Sequence, residues 1–137
     1  MAGILVAQEV LRVGSETLVE GLSPSRPYCC VFEDDGRSAY FYALDLDRTE
    51  QRVVDAMHIY NVTSVANRDR PSTLQVVWSE DGMKAALLIN DYAHAVFDFE
   101  HRRGYCRTGS PPASEWATND HSWSESALIP FRAVWLN

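Results

Sequence analysis

The chain has 137 residues, of which 46% are hydrophobic and 23% charged, and this composition predicts a single globular domain over 1–137 that needs no disulfide or metal to bury a core. Its formal net charge of −7 argues against nucleic-acid binding, which depends on basic residues that neutralise phosphates. An acidic surface suits a basic protein partner, although acidity also serves plain solubility.

The cysteines and the apolar runs indicate a cytoplasmic protein without membrane association. Cys29, Cys30 and Cys106 are odd in number and two are adjacent, which is poor material for a disulfide framework. The N-terminal segment has no basic flank typical of a signal peptide. The longest apolar run, 85–89, is far shorter than the roughly 20 residues that a membrane helix needs.

Three β-hairpins are predicted from turn signals. The first lies in QEVLRVGSETLVEG and turns at Gly14, the second joins YCCVFE to RSAYFYAL through Asp-Asp-Gly, and the third lies in WSEDGMKAALLIND. If Asp35 and Gly36 form a two-residue loop, Asp34 lies opposite Arg37.

The two acidic stretches FEDDG and WSEDG raise the question of a divided metal or acid/base site. Neighbouring strand residues point to opposite faces of a sheet, so Glu33 and Asp34 cannot converge on one ion. In the second stretch, the hairpin register places Trp78 opposite Ala85 and Ser79 opposite Lys84. We therefore interpret both stretches as turns and predict no metal or cofactor from them.

One main α-helix is predicted at about 48–60. Asp47 followed by Glu50 resembles a capping box, and four apolar residues then recur at helical spacing: Val53, Val54, Met57 and Tyr60.

Further strands follow in the C-terminal half. HAVFDFE alternates, with Ala95, Phe97 and Phe99 on one face; YCRT predicts another strand, and 127–136 predicts a closing strand with Pro130 at an edge. The predicted fold class is α+β: mostly antiparallel β-sheet built from hairpins, with the helix packed on it.

Familiar catalytic signatures are absent, since the chain has no G-x-S-x-G, no glycine-rich phosphate loop and no H-E-x-x-H. A zinc site from His101 and the cysteines lacks the paired spacing of known zinc motifs. His94 and Asp98 share a strand face but are separated by about 13 Å. A hydrolase remains as a third alternative, with Asp81, Asp98 or Glu100 acting beside His94 or His101.

The segment HRRGYCRT is a positive spot in an acidic chain. Guanidinium groups bind carboxylate or phosphate, so a small anion or an acidic segment could dock here, and the candidate ligand-binding residues are His101, Arg102, Arg103, Tyr105 and Arg107. The alternative is that these cations pair with Asp98 and Glu100. Nearby tryptophans predict either a lid on the core or an interface: Trp116, Trp123 and Trp135.

Four segments together resemble a family of uncharacterised bacterial proteins, domain-of-unknown-function family 2251: CVFEDDGRSAYFYALD, DAMHIYNV, VVWSEDGMKAALLIND and HAVFDFEHRRGYCRTGSPP. The resemblance covers about 28–112. It implies a bacterial protein and supplies no activity and no site residues.

The leading functional hypothesis is a non-catalytic protein-interaction module with an acidic surface, comparable to toxin-neutralising immunity proteins. Its expected partner is a basic protein or a second copy of the chain. Binding of a small anionic ligand by Arg102, Arg103 and Arg107 is the second hypothesis.

Overall fold

The computed structural model describes residues 3–131, which form nine β-strands in two antiparallel sheets. The five-stranded sheet has the order β1-β6-β7-β8-β9, and the four-stranded sheet has the order β2-β3-β4-β5. The strands are β1 Gly3–Leu11, β2 Thr17–Leu22, β3 Tyr28–Asp34, β4 Ser38–Asp45, β5 Val53–Asn61, β6 Ser72–Ser79, β7 Lys84–Ile89, β8 Tyr92–Asp98 and β9 Arg103–Cys106. Within 3–131 the helical elements are two short 3-10 helices, Val62–Ser64 and Glu125–Phe131.

The two sheets pack face to face over a common core. Phe41 of the four-stranded sheet stacks on Phe97 of the five-stranded sheet with ring centroids 5.5 Å apart. Trp78 is fully buried and donates its indole N–H to the carbonyl of Gly21 across the sheets at 3.1 Å. Alternation therefore fills the interior from both sheets, and as predicted Ala95, Phe97 and Phe99 point into it.

The main helix predicted at about 48–60 is wrong, because this segment contains strand β5. Beta-branched Val53, Val54 and Ile59 favour extended backbone. Register shifts against β4 interrupt the alternation of β5, so its apolar residues fall at spacings that imitate a helix. Over residues 3–131 the fold is consequently β-rich, without the packed helix of an α+β domain.

The predicted N-terminal hairpin is also wrong. β1 pairs with β6 and β2 pairs with β3, so the chain passes from one sheet to the other at this turn. Gly14 has a φ of +91° there, and its N–H donates to a carboxylate oxygen of Asp34 at 2.8 Å.

The remaining hairpins follow the predicted pattern with one correction. Trp78 lies opposite Ala85, as predicted, and β7 and β8 continue into a meander that β9 extends. In the β3–β4 hairpin Asp34 lies opposite Ala39 instead of Arg37, because the turn closes through Asp35 and Ser38 and is two residues longer than predicted.

The closing strand predicted at 127–136 is wrong where the structure describes it, since Glu125–Phe131 is a 3-10 helix, and 132–136 lies outside the described residues. We call residues 123–131 the cover. Its Leu128 and Phe131 pack on the outer face of the five-stranded sheet, against Val77, Ala86, Leu88, Ala93 and Val96.

Candidate functional site

The outer face of the four-stranded sheet is apolar and open to solvent, and we call it the open face. Leu18, Leu22 and Val53 on it are 62%, 56% and 51% exposed. The strand registers place the following side chains on this side: Leu18, Glu20, Leu22, Cys29, Val31, Glu33, Tyr40, Tyr42, Leu44, Val53, Ala56 and His58. A patch of this kind typically marks an interaction site.

An aromatic group lies within the open face. The rings of Tyr40 and Tyr42 are stacked with centroids 6.1 Å apart, and His58 meets Tyr40 edge-on at 5.3 Å. The hydroxyl of Tyr42 donates to Glu33 at 2.9 Å. Burial and this hydrogen bond to Glu33 raise the pKa of Tyr42 to about 12, so the phenol stays neutral and holds the carboxylate in place.

The charged groups on and beside the open face are mainly acidic. Glu20 is exposed within it, and a surface cavity of about 380 Å³ where β2 begins and β3 ends is lined by Glu16, Leu18, Glu33 and Asp35 among others. An apolar surface with acidic groups complements a partner whose apolar patch is flanked by Lys or Arg.

The first acidic stretch is a turn whose carboxylates are separated, as alternation predicted. Glu33 points to the open face, whereas buried Asp34 points inward and accepts hydrogen bonds from Gly14 N–H, Gly36 N–H and the Tyr60 hydroxyl, all at 2.7–2.8 Å. Asp35 accepts the backbone N–H groups of Arg37 and Ser38. Asp34 and Asp35 thus both accept hydrogen bonds from groups of the surrounding structure.

The second acidic stretch is built in the same way. Asp81 accepts the Ser79 hydroxyl at 2.6 Å and the Met83 N–H at 3.0 Å. The Ser79 hydrogen bond outweighs partial burial and lowers the pKa of Asp81. This carboxylate therefore closes a turn.

The five residues of the predicted anion site do not converge. Arg107 lies between the rings of Tyr92 and Trp123, with its guanidinium carbon 4.4 and 3.8 Å from their centroids, and it bonds to Glu125 at 3.3 Å. Arg103 and Tyr105 follow the outer side of β9, beside the cover.

The other two residues of that set lie at the β8–β9 turn. Arg102 faces a separate cleft beside Trp116, and the ring of His101 bonds to Asp98. The tryptophans divide similarly: Trp116 packs on Phe99 of the core, Trp123 belongs to the cover, and Trp135 lies outside the described residues.

Asp98, Glu100 and His101 form a compact group near this turn, with potential ligand atoms within 4.8 Å of one another. His101 Nδ1 lies 2.9 Å from Asp98, and the Lys84 ammonium lies 2.8 Å from Glu100 and 4.0 Å from Asp98. Lys84 thus places a positive charge at both carboxylates. Within residues 3–131 no serine, threonine or cysteine bonds to the His101 ring, so this pair lacks the nucleophile of a hydrolase triad.

His94, the other histidine considered for hydrolysis, is separate from this pair. Burial and the nearby charge of Arg107 lower its pKa to about 4, so it is neutral at physiological pH.

A buried Asp55–His121 pair was not predicted. Their side chains are 1% and 0% exposed, and His121 Nε2 lies 2.6 Å from Asp55 while Nδ1 lies 2.9 Å from the Pro111 carbonyl. Burial disfavours the charged imidazole, but the hydrogen bond and charge of Asp55 outweigh it and raise the pKa of His121. Because neither side chain reaches solvent, the pair fastens the segment after β9 to β5.

A family model described as an uncharacterised protein conserved in bacteria (DUF2251) matches residues 11–132. The chain belongs to this family. The match confirms the resemblance found in the sequence and extends it at both ends.

An uncharacterised protein of Haemophilus influenzae is 49% identical over 78 residues, which are 57% of this chain and 48% of that relative. The chain thus spans about half the length of this curated relative. No solved structure matches the chain. None of the helices within residues 3–131 is long and apolar enough to cross a bilayer.

Proposed function

We propose that this DUF2251 protein is a non-catalytic interaction module of the bacterial cytoplasm that binds a basic protein through the open face. The observation that carries the proposal is the exposure of an apolar sheet surface: Leu18 and Leu22 on β2 and Val53 on β5 are all more than half exposed. Each apolar side chain buried on association contributes about 1.5–3 kcal/mol before the cost of ordering.

The aromatic group supplies a centre for such an interface. Tyrosines bury a large rigid surface and often dominate binding energy. Tyr40 and Tyr42 are stacked on each other, and Glu33 fixes the hydroxyl of Tyr42, so little side-chain freedom is lost when a partner docks.

Charge favours a basic partner over a second copy of the chain. A symmetric dimer through the open face would bring Glu20 and Glu33 towards the same acidic groups of its mate, in a protein with a net charge of −7. A cationic partner, such as the basic toxin domain that an immunity protein masks, would neutralise these carboxylates instead.

Differential capture from a bacterial extract tests the proposal. The wild-type chain is compared with Leu18→Ser/Leu22→Ser and with Glu16→Lys/Glu20→Lys, while Glu9→Lys/Asp69→Lys provides a control with the same change of charge away from the face. We expect a basic protein that is retained by wild type and control, lost from both face variants, and weakened as salt rises.

Equal retention by the face variants and the control would exclude the open face as the docking surface. Analytical ultracentrifugation of the purified chain separates the homo-oligomer alternative, because self-association through the face would be abolished by the serine variant without any partner present.

A further inference from the structure

A second surface feature is a cleft of about 410 Å³ on the side of the sandwich where the β4–β5 connection approaches the β8–β9 turn. Its lining includes Arg48, Val53, Arg102, Glu115 and Trp116. Its lining holds two guanidinium groups and one carboxylate, and the carboxylate of Asp45 lies 3.8 Å from Arg48.

Hydrogen-bond donors of the cleft lack partners in the part of the chain that the structure describes. The Arg102 guanidinium and the Trp116 indole N–H contact no acceptor among residues 3–131. Arg48 approaches Asp45 only at 3.8 Å, beyond hydrogen-bonding distance. Arg102 and Trp116 are therefore the donors available to a ligand, while the charge of Arg48 is shared with Asp45.

The backbone around the cleft is fixed without a ligand. Arg102 has a φ of +52°, and its carbonyl accepts both the N–H and the hydroxyl of Thr118. The Ser114 hydroxyl donates to the carbonyl of Val54 at 2.6 Å. The ring of Trp116 meets Phe99 of the core edge-on at 5.7 Å, which sets the plane of the indole. The backbone and the indole of Trp116 are therefore in place before a ligand binds, and the exposed arginine side chains would close on it.

We propose that this cleft binds a small oxyanion, a carboxylate or phosphate, attached to a planar ring. Guanidinium groups recognise such oxyanions through paired N–H donors, and the indole of Trp116 offers both a stacking surface and one further N–H donor. The site takes Arg102 from the HRRGYCRT segment and joins it to Arg48 and Trp116, which lie far from it in sequence. Val53 borders both the cleft and the open face, whereas Leu18 and Leu22 of the open face do not line the cleft.

NMR titration of the full chain with four probes tests the site: phenyl phosphate, benzoate, inorganic phosphate and benzyl alcohol. We expect saturable shifts of the Trp116 indole N–H with phenyl phosphate and benzoate, weaker binding of inorganic phosphate, and no binding of neutral benzyl alcohol. The Trp116 signal is assigned from Trp116→Phe, a conservative change that removes the indole N–H.

Arginine variants locate the binding. Arg102→Gln and Arg48→Gln should each weaken phenyl phosphate binding roughly ten- to hundredfold, the loss typical of a charge-assisted hydrogen bond. Arg103→Gln is the matched control, because it is the neighbouring residue but lies on the outer side of β9, and it should leave binding unchanged. All three side chains are exposed, so the variants should keep the wild-type melting temperature.

Three outcomes would overturn the proposal: no saturable shift with any oxyanion, equal affinity for benzyl alcohol and phenyl phosphate, or an equal loss in the Arg103 and Arg102 variants.

Discussion

The two outer faces of the sandwich differ in what covers them. On the five-stranded sheet, Val77, Ala86 and Leu88 are at most 2% exposed because Leu128 and Phe131 of the cover pack on them. On the four-stranded sheet, Leu18 and Leu22 are 62% and 56% exposed. Both faces are apolar, so the pattern within the strands does not decide which one becomes core. The difference comes from the segment that follows β9.

Several contacts hold that segment before it reaches the covered face, and two of them involve ionisable side chains. Asp55 and His121 hold it to β5 in the interior, and Arg107 lies between Tyr92 and Trp123 where the cover begins. Substitutions at these two contacts and in the cover itself should therefore break or sharpen the contrast between the two faces.

The largest loss of stability should follow removal of the buried Asp55–His121 pair. His121→Ala leaves the carboxylate of Asp55 buried without its imidazole partner, and we expect it to lower the free energy of unfolding by about 3–5 kcal/mol in urea denaturation. Adding Asp55→Asn to this variant removes the buried charge and should recover about 1 kcal/mol or more. A double variant less stable than His121→Ala would contradict a charged pair.

A second pair of substitutions tests how the cover packs on the five-stranded sheet. Phe131 is fully buried, whereas Ile129 on the same 3-10 helix is 58% exposed. Phe131→Ala should cost about 3 kcal/mol of unfolding free energy and Ile129→Ala less than about 0.5 kcal/mol. Phe131→Ala should also increase binding of a hydrophobic dye, because Val77, Ala86 and Leu88 become accessible. Equal costs for the two variants would show that the cover does not pack as described.

The same physics explains how much of the fold could be predicted from the sequence. The β6–β7 hairpin was predicted with its register, as the pairing of Trp78 with Ala85 shows, whereas the β3–β4 turn is two residues longer than predicted. Strand β5 was missed because register shifts disturb its alternation, and β1 was misplaced because its partner, β6, is distant in sequence. Local signals determine turns, whereas tertiary pairing determines which strands meet.

The candidate sites show a similar division. Opposite directions of Glu33 and Asp34 followed from strand alternation, and the structure confirms them. The Asp55–His121 pair joins residues 66 positions apart and has no local signature. The cleft of Arg48, Arg102 and Trp116 is also assembled from separate segments; Arg102 was a predicted ligand-binding residue, and Trp116 was predicted to belong to a core lid or an interface.

The pH dependence of the free energy of unfolding should reveal the contributions of two histidines, His121 beside Asp55 and His94 beside Arg107. The raised pKa of His121 contributes stability that is complete below pH 6.5 and is lost as pH rises through the folded-state pKa. His94, beside Arg107 at the start of the cover, has its pKa lowered to about 4, so its contribution is complete above pH 6.5 and is lost as pH falls towards 4.

Urea denaturation at a series of pH values measures these two limbs. Between pH 6.5 and pH 4, which we call the acid limb, the free energy of unfolding should fall by up to about 3 kcal/mol, since each pKa unit corresponds to 1.36 kcal/mol. His94→Gln should flatten the acid limb, and the Asp55→Asn/His121→Ala variant should flatten the alkaline limb. An unchanged acid limb in His94→Gln would contradict the assignment of that limb to His94.

The smallest stability effect should occur on the open face. Leu18 and Val19 are neighbours on β2, but Leu18 is 62% exposed and Val19 is 5% exposed in the core. We expect Val19→Ala to lower the free energy of unfolding by about 2 kcal/mol and Leu18→Ala by less than about 0.5 kcal/mol in the isolated protein.

Comparable costs would mean that something covers Leu18 in solution. If a second copy were responsible, the cost of Leu18→Ala would increase with protein concentration, because stability is then coupled to association. A small, concentration-independent cost instead describes a face whose apolar residues contribute little to the fold, which is the condition for their serving a partner.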